Sequence, residues 1–238
     1  NVSITENSPI TISAPVFATG DITLIANDSV GSDDGSITNN ATVTSSGGDV
    51  NLYAGTDINI GADIQAADTL NLFADDPTVA YNNSTGTGSV VRTAGTIIAP
   101  TINLTGVDIG TSASPIVTDA GTLSASAGSG STVAGVYINE LNQIALGDIS
   151  TYDGDIEIDA GGTIDVAGDV VVGNGNTISL TSIGGGIVQS GGVVGDDGLT
   201  GEYTTLILSA VNGINLTTDI TNLQATNTTS GNIEIANT

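Results

Sequence analysis

An apolar, polar, apolar triplet returns ten times along this chain. Its outer positions are Ile22/Leu24, Val50/Leu52, Leu70/Leu72, Ile102/Leu104, Leu123/Ala125, Val136/Ile138, Ile156/Ile158, Ile178/Leu180, Leu206/Leu208 and Ile233/Ile235. Such alternation marks a β-strand with one buried face, because successive side chains leave the backbone on opposite sides. From copy to copy the steps are 28, 20, 32, 21, 13, 20, 22, 28 and 27 residues. Recurrence on this scale is the signature of a stacked array whose units bury their apolar faces only against neighbours. The longer steps read as a unit of 20 to 22 residues plus insertions, placed after Ala26, Ala74, Ser182 and Ala210 and expected to overhang one corner.

The unit subdivides. After Val50 come apolar strand starts at Ile58 and Ile64; after Val136, at Ile144 and Ile149; after Ile156, at Ile164 and Val170. Three short strands per unit, each too short for its own hairpin, predict an all-β, right-handed parallel β-helix: a three-faced solenoid of roughly ten coils in a single domain, 1–238. Coils stack at about 4.8 Å, so the rod is expected to be about 50 Å long. Ile156 and Ile158 are expected to stack between Val136 and Ile138 on one side and Ile178 and Leu180 on the other. Gly47-Gly48, Gly154, Gly161-Gly162 and Gly184-Gly185-Gly186 precede strand starts. They read as corners that need a bend or a positive φ. The chain carries 33 Gly but only 5 Pro, as suits ladders that need an N–H at every rung. The segment 232–238 opens a coil without finishing it, so the chain reads as part of a longer repeat protein.

Charge narrows the function classes. One cation, Arg92, stands against 26 carboxylates, for a net charge of −25. This excludes a phosphate-neutralising surface for nucleic acid and argues against anionic lipid as a partner. No run is long and apolar enough for a membrane span, so direct membrane insertion is not expected. With neither His nor Cys, no Ser–His or Cys–His nucleophile is possible.

Three stretches carry a resemblance. Residues 154–170 (GDIEIDAGGTIDVAGDV) and 48–60 (GDVNLYAGTDINI) resemble the repeat of filamentous-haemagglutinin-type exoproteins, the secreted partners of two-partner secretion. Residues 136–149 (VYINELNQIALGDI) are similar to repeats of giant bacterial adhesins. The resemblance implies a right-handed parallel β-helix, export to the medium or the bacterial cell surface, and a role in attachment, aggregation or biofilm. The absence of Lys departs from many such adhesins and speaks against electrostatic attachment to anionic host sugars.

Candidate chemistry is acidic. Asp33-Asp34, Asp75-Asp76 and Asp196-Asp197 are candidate Ca²⁺ ligands, since hard cations take several carboxylate and carbonyl oxygens; solvated charge that keeps the rod soluble is the plainer reading. No other cofactor is expected. Paired carboxylates for glycoside hydrolysis would come from Asp153, Asp155 and Glu157, or from Asp165 and Asp169. Yet 155, 157 and 159 alternate outward as any exposed face would, and an enzyme is not expected. Arg92 reads as a surface ion pair with a nearby Asp, with a carboxylate or sugar clamp as the functional alternative. Glu140 reads as a plain corner residue; the alternative is an inward carboxylate capping a turn. The middle positions of the triplets form an Asn/Ser-rich column, not the Thr ladder of an ice-binding face. Sequons at Asn40, Asn83, Asn103, Asn215 and Asn227 are what an Asn/Ser/Thr-rich chain makes by chance.

Two function classes follow. One is a structural and adhesive rod of a secreted or cell-surface bacterial protein, with a cell-surface, matrix or polysaccharide ligand or self-association as its partner. The other is a carbohydrate-binding or carbohydrate-cleaving module on the same fold.

Overall fold

The computed structural model describes residues 1–29, 32, 34–75, 87–128, 135–173, 175–196 and 204–238. Within them there is no helix, and the named strands pair in parallel from coil to coil. The fold is a parallel β-helix. One column of pairings runs its length. Val2, Ile22, Val50, Leu70, Ile102 and Leu123 pair in series. From Ala125 the same strand passes the ladder to Ile149, Val170, Val194, Thr218 and Asn237. Eleven strands lie on this line, so the rod is about 50 Å long.

The inward residues are aliphatic and shut off from water. Ile22, Leu52, Ile58, Leu70, Ile102, Ile156, Ile158 and Leu180 are among those with no exposed surface. β-Branched and aliphatic side chains suit this interior, because each packs against its equivalents one coil above and below. Ile156 and Ile158 pair with Val136 and Ile138 on one side and Ile178 and Leu180 on the other, as expected.

The 13-residue step from Leu123 to Val136 has a structural cause. In the first half of the rod each coil has one five-residue face, as in Ile22–Ala26 and Val50–Ala54, and two shorter ones, as in Ile58–Ile60 and Ile64–Gln65. Midway the faces exchange. Leu123 pairs with Leu146 but Ala125 pairs with Ile149, so Gly147 and Asp148 oppose the single residue Ser124. This bulge bends the long face into two short ones, Ile164–Val166 and Val170–Val172. Gly147 lets the two coils approach closely there, since a Cβ would press on the Ser124 hydroxyl and oblige it to rotate. On the far side Ile109 bridges Val90 to Val136, and Ile97, Thr118 and Glu140 pair in series. The two short faces thereby fuse into the long face Val136–Glu140, followed by Ile156–Ala160. Val136 therefore stacks above Val90 through Ile109, not above Leu123, and the 13-residue step is only part of a coil.

The exchange also relocates the insertions. Val50–Ala54 pairs with Ile22–Ala26, and Ala127, Thr151, Val172 and Asp196 continue the same edge. The long segments leave this one edge after Ala26, Ala74, Ala127 and Asp196. Those after Ser182 and Ala210 are tight turns on another corner, leading straight to Ile187 and Ile214. The last triplet likewise continues the Ile214 column rather than that of Leu206.

The predicted corner glycines work by close approach. Gly47 and Gly161 keep φ outside the left-handed region. A Cβ on Gly47 would sit 2.6 Å from the Thr19 carbonyl oxygen, and one on Gly161 would run into that of Leu141.

Candidate functional site

The corner after the Ile64–Gln65 strand is built from small residues in register. Ala66 and Ala67 are followed one coil on by Ala99 and Pro100, and then by Ala120 and Gly121. Side chains this short leave a groove of ≈ 780 Å³ running along the rod. Gln65, Ile98 and Asp119 form one rim; Asn142, Gln143, Thr163 and Asp165 continue the wall on the coils beyond. Val188 closes the groove and also lines a smaller cleft of ≈ 240 Å³ with Asn212, Asn215 and Glu234. The groove lies on a different corner from the edge that carries the long segments.

Two carboxylates face this groove. Asp119 Oδ1 accepts from the Asn142 side-chain amide at 3.0 Å. Asp165 Oδ2 accepts from the Ser190 hydroxyl at 2.9 Å. Its Oδ1 is shut off from water and meets no donor among the described residues. Asp165 stacks between Ala145 and Val188, neither of which can supply one.

Behind the groove lies Glu140, 1 % exposed. Its Oε2 accepts from the Thr118 hydroxyl at 2.6 Å and the Ala120 amide at 3.0 Å, and Oε1 accepts from the Asn142 amide at 3.0 Å. The plain corner reading is corrected: Glu140 points inward and ties two groove-lining coils together. It does so because Val136, Ile138 and Glu140 share one side of a strand by the period of two. Burial raises its pKa, aided by the Asp119 charge and opposed by the three hydrogen bonds.

The other aspartates have a recurring structural task. Asp21, Asp49, Asp57, Asp63, Asp155 and Asp169 each stand just before a strand, Asp108 just before the Ile109 bridge, and Asp148 at the bulge inside the Ile144–Thr151 strand. Each accepts the backbone N–H of the equivalent residue one coil on: Asp49, Thr69, Ser89, Thr96, Thr177, Val193, Gly135 and Asp169 in turn. Asn1 does the same for Asp21 through its amide oxygen. Asp155 and Asp169, considered as catalytic carboxylates, thus belong to this corner ladder. Asp153 accepts from the Asn176 amide, and Glu157 stands on the outer face between Tyr137 and Ser179. Of the catalytic candidates only Asp165 lines the groove. The ladder makes a prediction. Asp155→Ala should weaken hydrogen-exchange protection of the Thr177 amide and destabilise by about 1 kcal/mol, whereas Asp155→Asn, which keeps an acceptor, should stay within a few tenths. Equal effects of the two would mean the charge, not the hydrogen bond, is what counts.

Of the predicted calcium ligands, Asp33, Asp76 and Asp197 lie outside the described residues, as does the side chain of Asp196. Asp34 accepts from the Ser29 amide and hydroxyl with its two oxygens. Asp28 Oδ1 accepts the amides of Asp34 and Gly35. Asp75 adopts a φ of 52° and donates its amide to the Thr56 carbonyl. Among the described residues no three carboxylates converge on a point that could hold an ion. Arg92, expected in an ion pair, instead donates through Nε to the Gly95 carbonyl at 2.6 Å, closing a corner where Gly95 has a φ of 78°.

The Asn/Ser-rich column expected of the triplet middles runs only from Thr23 to Ser124; Tyr137, Glu157, Ser179 and Ile207 line up on a different face. Asn103 donates to Asn71 and Asn71 to Asn51, at 2.8 and 2.7 Å, an amide ladder of the kind stacked strands favour. Tyr53 and Phe73 meet edge to face at 5.5 Å in the neighbouring outward column. No family model, curated protein or solved structure matches the chain.

Proposed function

We propose that this chain is a stiff, adhesive rod of a secreted or cell-surface bacterial protein. The observation that carries this reading is the unbroken ladder from Val2 to Asn237. Each rung adds length and is held by its neighbours alone, an arrangement suited to holding surfaces apart or displaying contacts along a line. The repeats at 48–60 and 154–170, which resemble those of exported haemagglutinin-type proteins, support the location. Scattering from the purified chain should give a rod with a long dimension of about 50 Å. Beads coated with the chain should attach to matrix-coated surfaces, to epithelial cells or to one another more than albumin-coated beads do. Attachment no better than albumin would overturn the adhesive half of the proposal; a compact scattering profile would overturn the rod.

The charge makes a separate prediction. The carboxylates along the rod repel one another. Melting temperature should therefore rise as added NaCl shortens the screening length from about 30 Å at 0.01 M to about 8 Å at 0.15 M. CaCl₂ at matched ionic strength is expected to add nothing at Asp34, whose oxygens already accept from Ser29. A further rise in calcium would place the ion among the acidic pairs at 33–34, 75–76 and 196–197.

A further inference from the structure

We propose that the groove at the Ala66, Ala99 and Ala120 corner binds a linear, neutral oligosaccharide lying parallel to the rod axis. The inference stands on the groove alone and does not depend on the adhesive reading.

Shape comes first. Small residues repeated in register make the depression long rather than round, its lining running from Gln65 to Val188 across successive coils. An extended polymer fits such a trough and a compact metabolite does not. Coils recur every about 4.8 Å, close to the advance of one pyranose unit along an extended glycan. Successive sugars would therefore meet equivalent rungs.

The lining chemistry suits hydroxyl groups. The side-chain amides of Gln65, Asn142 and Gln143 both donate and accept, as sugar hydroxyls do. Asp119 and Asp165 accept. Asp165 Oδ1 has no donor among the described residues, and an unmet buried acceptor of this kind is stabilised by a ligand that brings an O–H. Ile98, Pro100 and Val188 offer apolar surface to the C–H faces of the rings. Val188 is 42 % exposed and sits directly over Asp165 in the column.

Other polymers fit poorly. Two carboxylates line the groove without a single cation, inside a chain of net charge −25. Uronate, sulfated and phosphate-bearing chains are repelled. A peptide adding itself as a strand needs free backbone edges, and the strands along this wall already pair with the coils on both sides.

The test is titration of the intact chain with cellohexaose, xylohexaose, laminarihexaose and mannohexaose at millimolar concentration, followed by calorimetry and by the shift in melting temperature. Hexagalacturonate is the anionic probe. At least one neutral hexaose should bind. Ala145→Trp, which puts a large ring on the groove wall, should abolish that binding. Asp165→Asn should weaken it about tenfold, and Asp159→Asn, on another face, should leave it unchanged. If Ala145→Trp fails to fold by circular dichroism, Gln143→Ala takes its place and should also weaken binding. Binding by none of the four overturns the proposal. So does binding that survives both groove variants, or hexagalacturonate binding as tightly as the neutral probes.

Discussion

Ile158→Asp is expected to destabilise the rod by at least about 4 kcal/mol, because a carboxylate is forced into a dry interior with no partner. Ile158 has no exposed surface and is paired with Ile138 below and Leu180 above. A globular core can yield sideways around an intruder. A one-dimensional stack cannot, since both coils that bury the residue also depend on it. The damage should therefore be regional. Hydrogen exchange should accelerate through the coils around residues 136–182 while the first coils keep their protection. The melting transition should broaden as the two ends unfold separately. Ile158→Val, which removes one methylene and keeps the shape, should cost about 1 kcal/mol. An unaltered melting curve for the aspartate variant would mean that Ile158 does not face the interior.

Glu140→Ala is expected to destabilise by about 3 kcal/mol, with a pH signature of its own. The substitution leaves the Ala120 and Asn142 amides and the Thr118 hydroxyl without their acceptor, and each unmet buried group costs about 1 kcal/mol or more. The carboxyl itself has a folded pKa above its ordinary 4.5. A group with a raised folded pKa holds its proton more tightly when folded, so its contribution is full below the unfolded pKa and is lost as pH rises through the folded one. The wild type should therefore lose stability relative to Glu140→Gln between the ordinary glutamate range and neutrality. Parallel melts of the two proteins from pH 5 to 8 measure this. A constant difference would show that Glu140 titrates as an exposed glutamate does.

Much of the fold was written in the alternation. It gave the strand type, the three strands per unit and the stacking of Ile156 and Ile158, because a period of two with one apolar side leaves no other placement. The pattern was silent about which neighbour each strand meets. Leu123 and Val136 open equivalent triplets yet lie on different faces, since a single bulge at Gly147-Asp148 turned the coil. A Gly-Asp pair there looks like any other corner, so the register change and the true edge of the insertions stayed hidden. Glu140 was legible in principle. It sits two residues beyond Ile138, and carrying the alternation one step further puts it inside. The groove depends on Ala66-Ala67, Ala99-Pro100 and Ala120-Gly121 being stacked, and those pairs align only once the register is known. The acidic residues showed their charge but not their task. Eight described aspartates hold the next coil by its N–H, a role that is visible only once the coils are in register.

The exchange of faces at Ser124 and Gly147 bears on how such a chain can lengthen. Coils on either side of the bulge are out of phase: the five-residue strand of one half lies where the other half has two short ones. A copied coil from residues 50–69 would slot in beside its parent, and so would one from 156–177 within its own half. Moved across the junction, either would set a long strand against two short ones, a mismatch met in this molecule only with the bulge at Gly147-Asp148. The bulge therefore works as punctuation in the repeat, permitting duplication within each half and forbidding recombination between them.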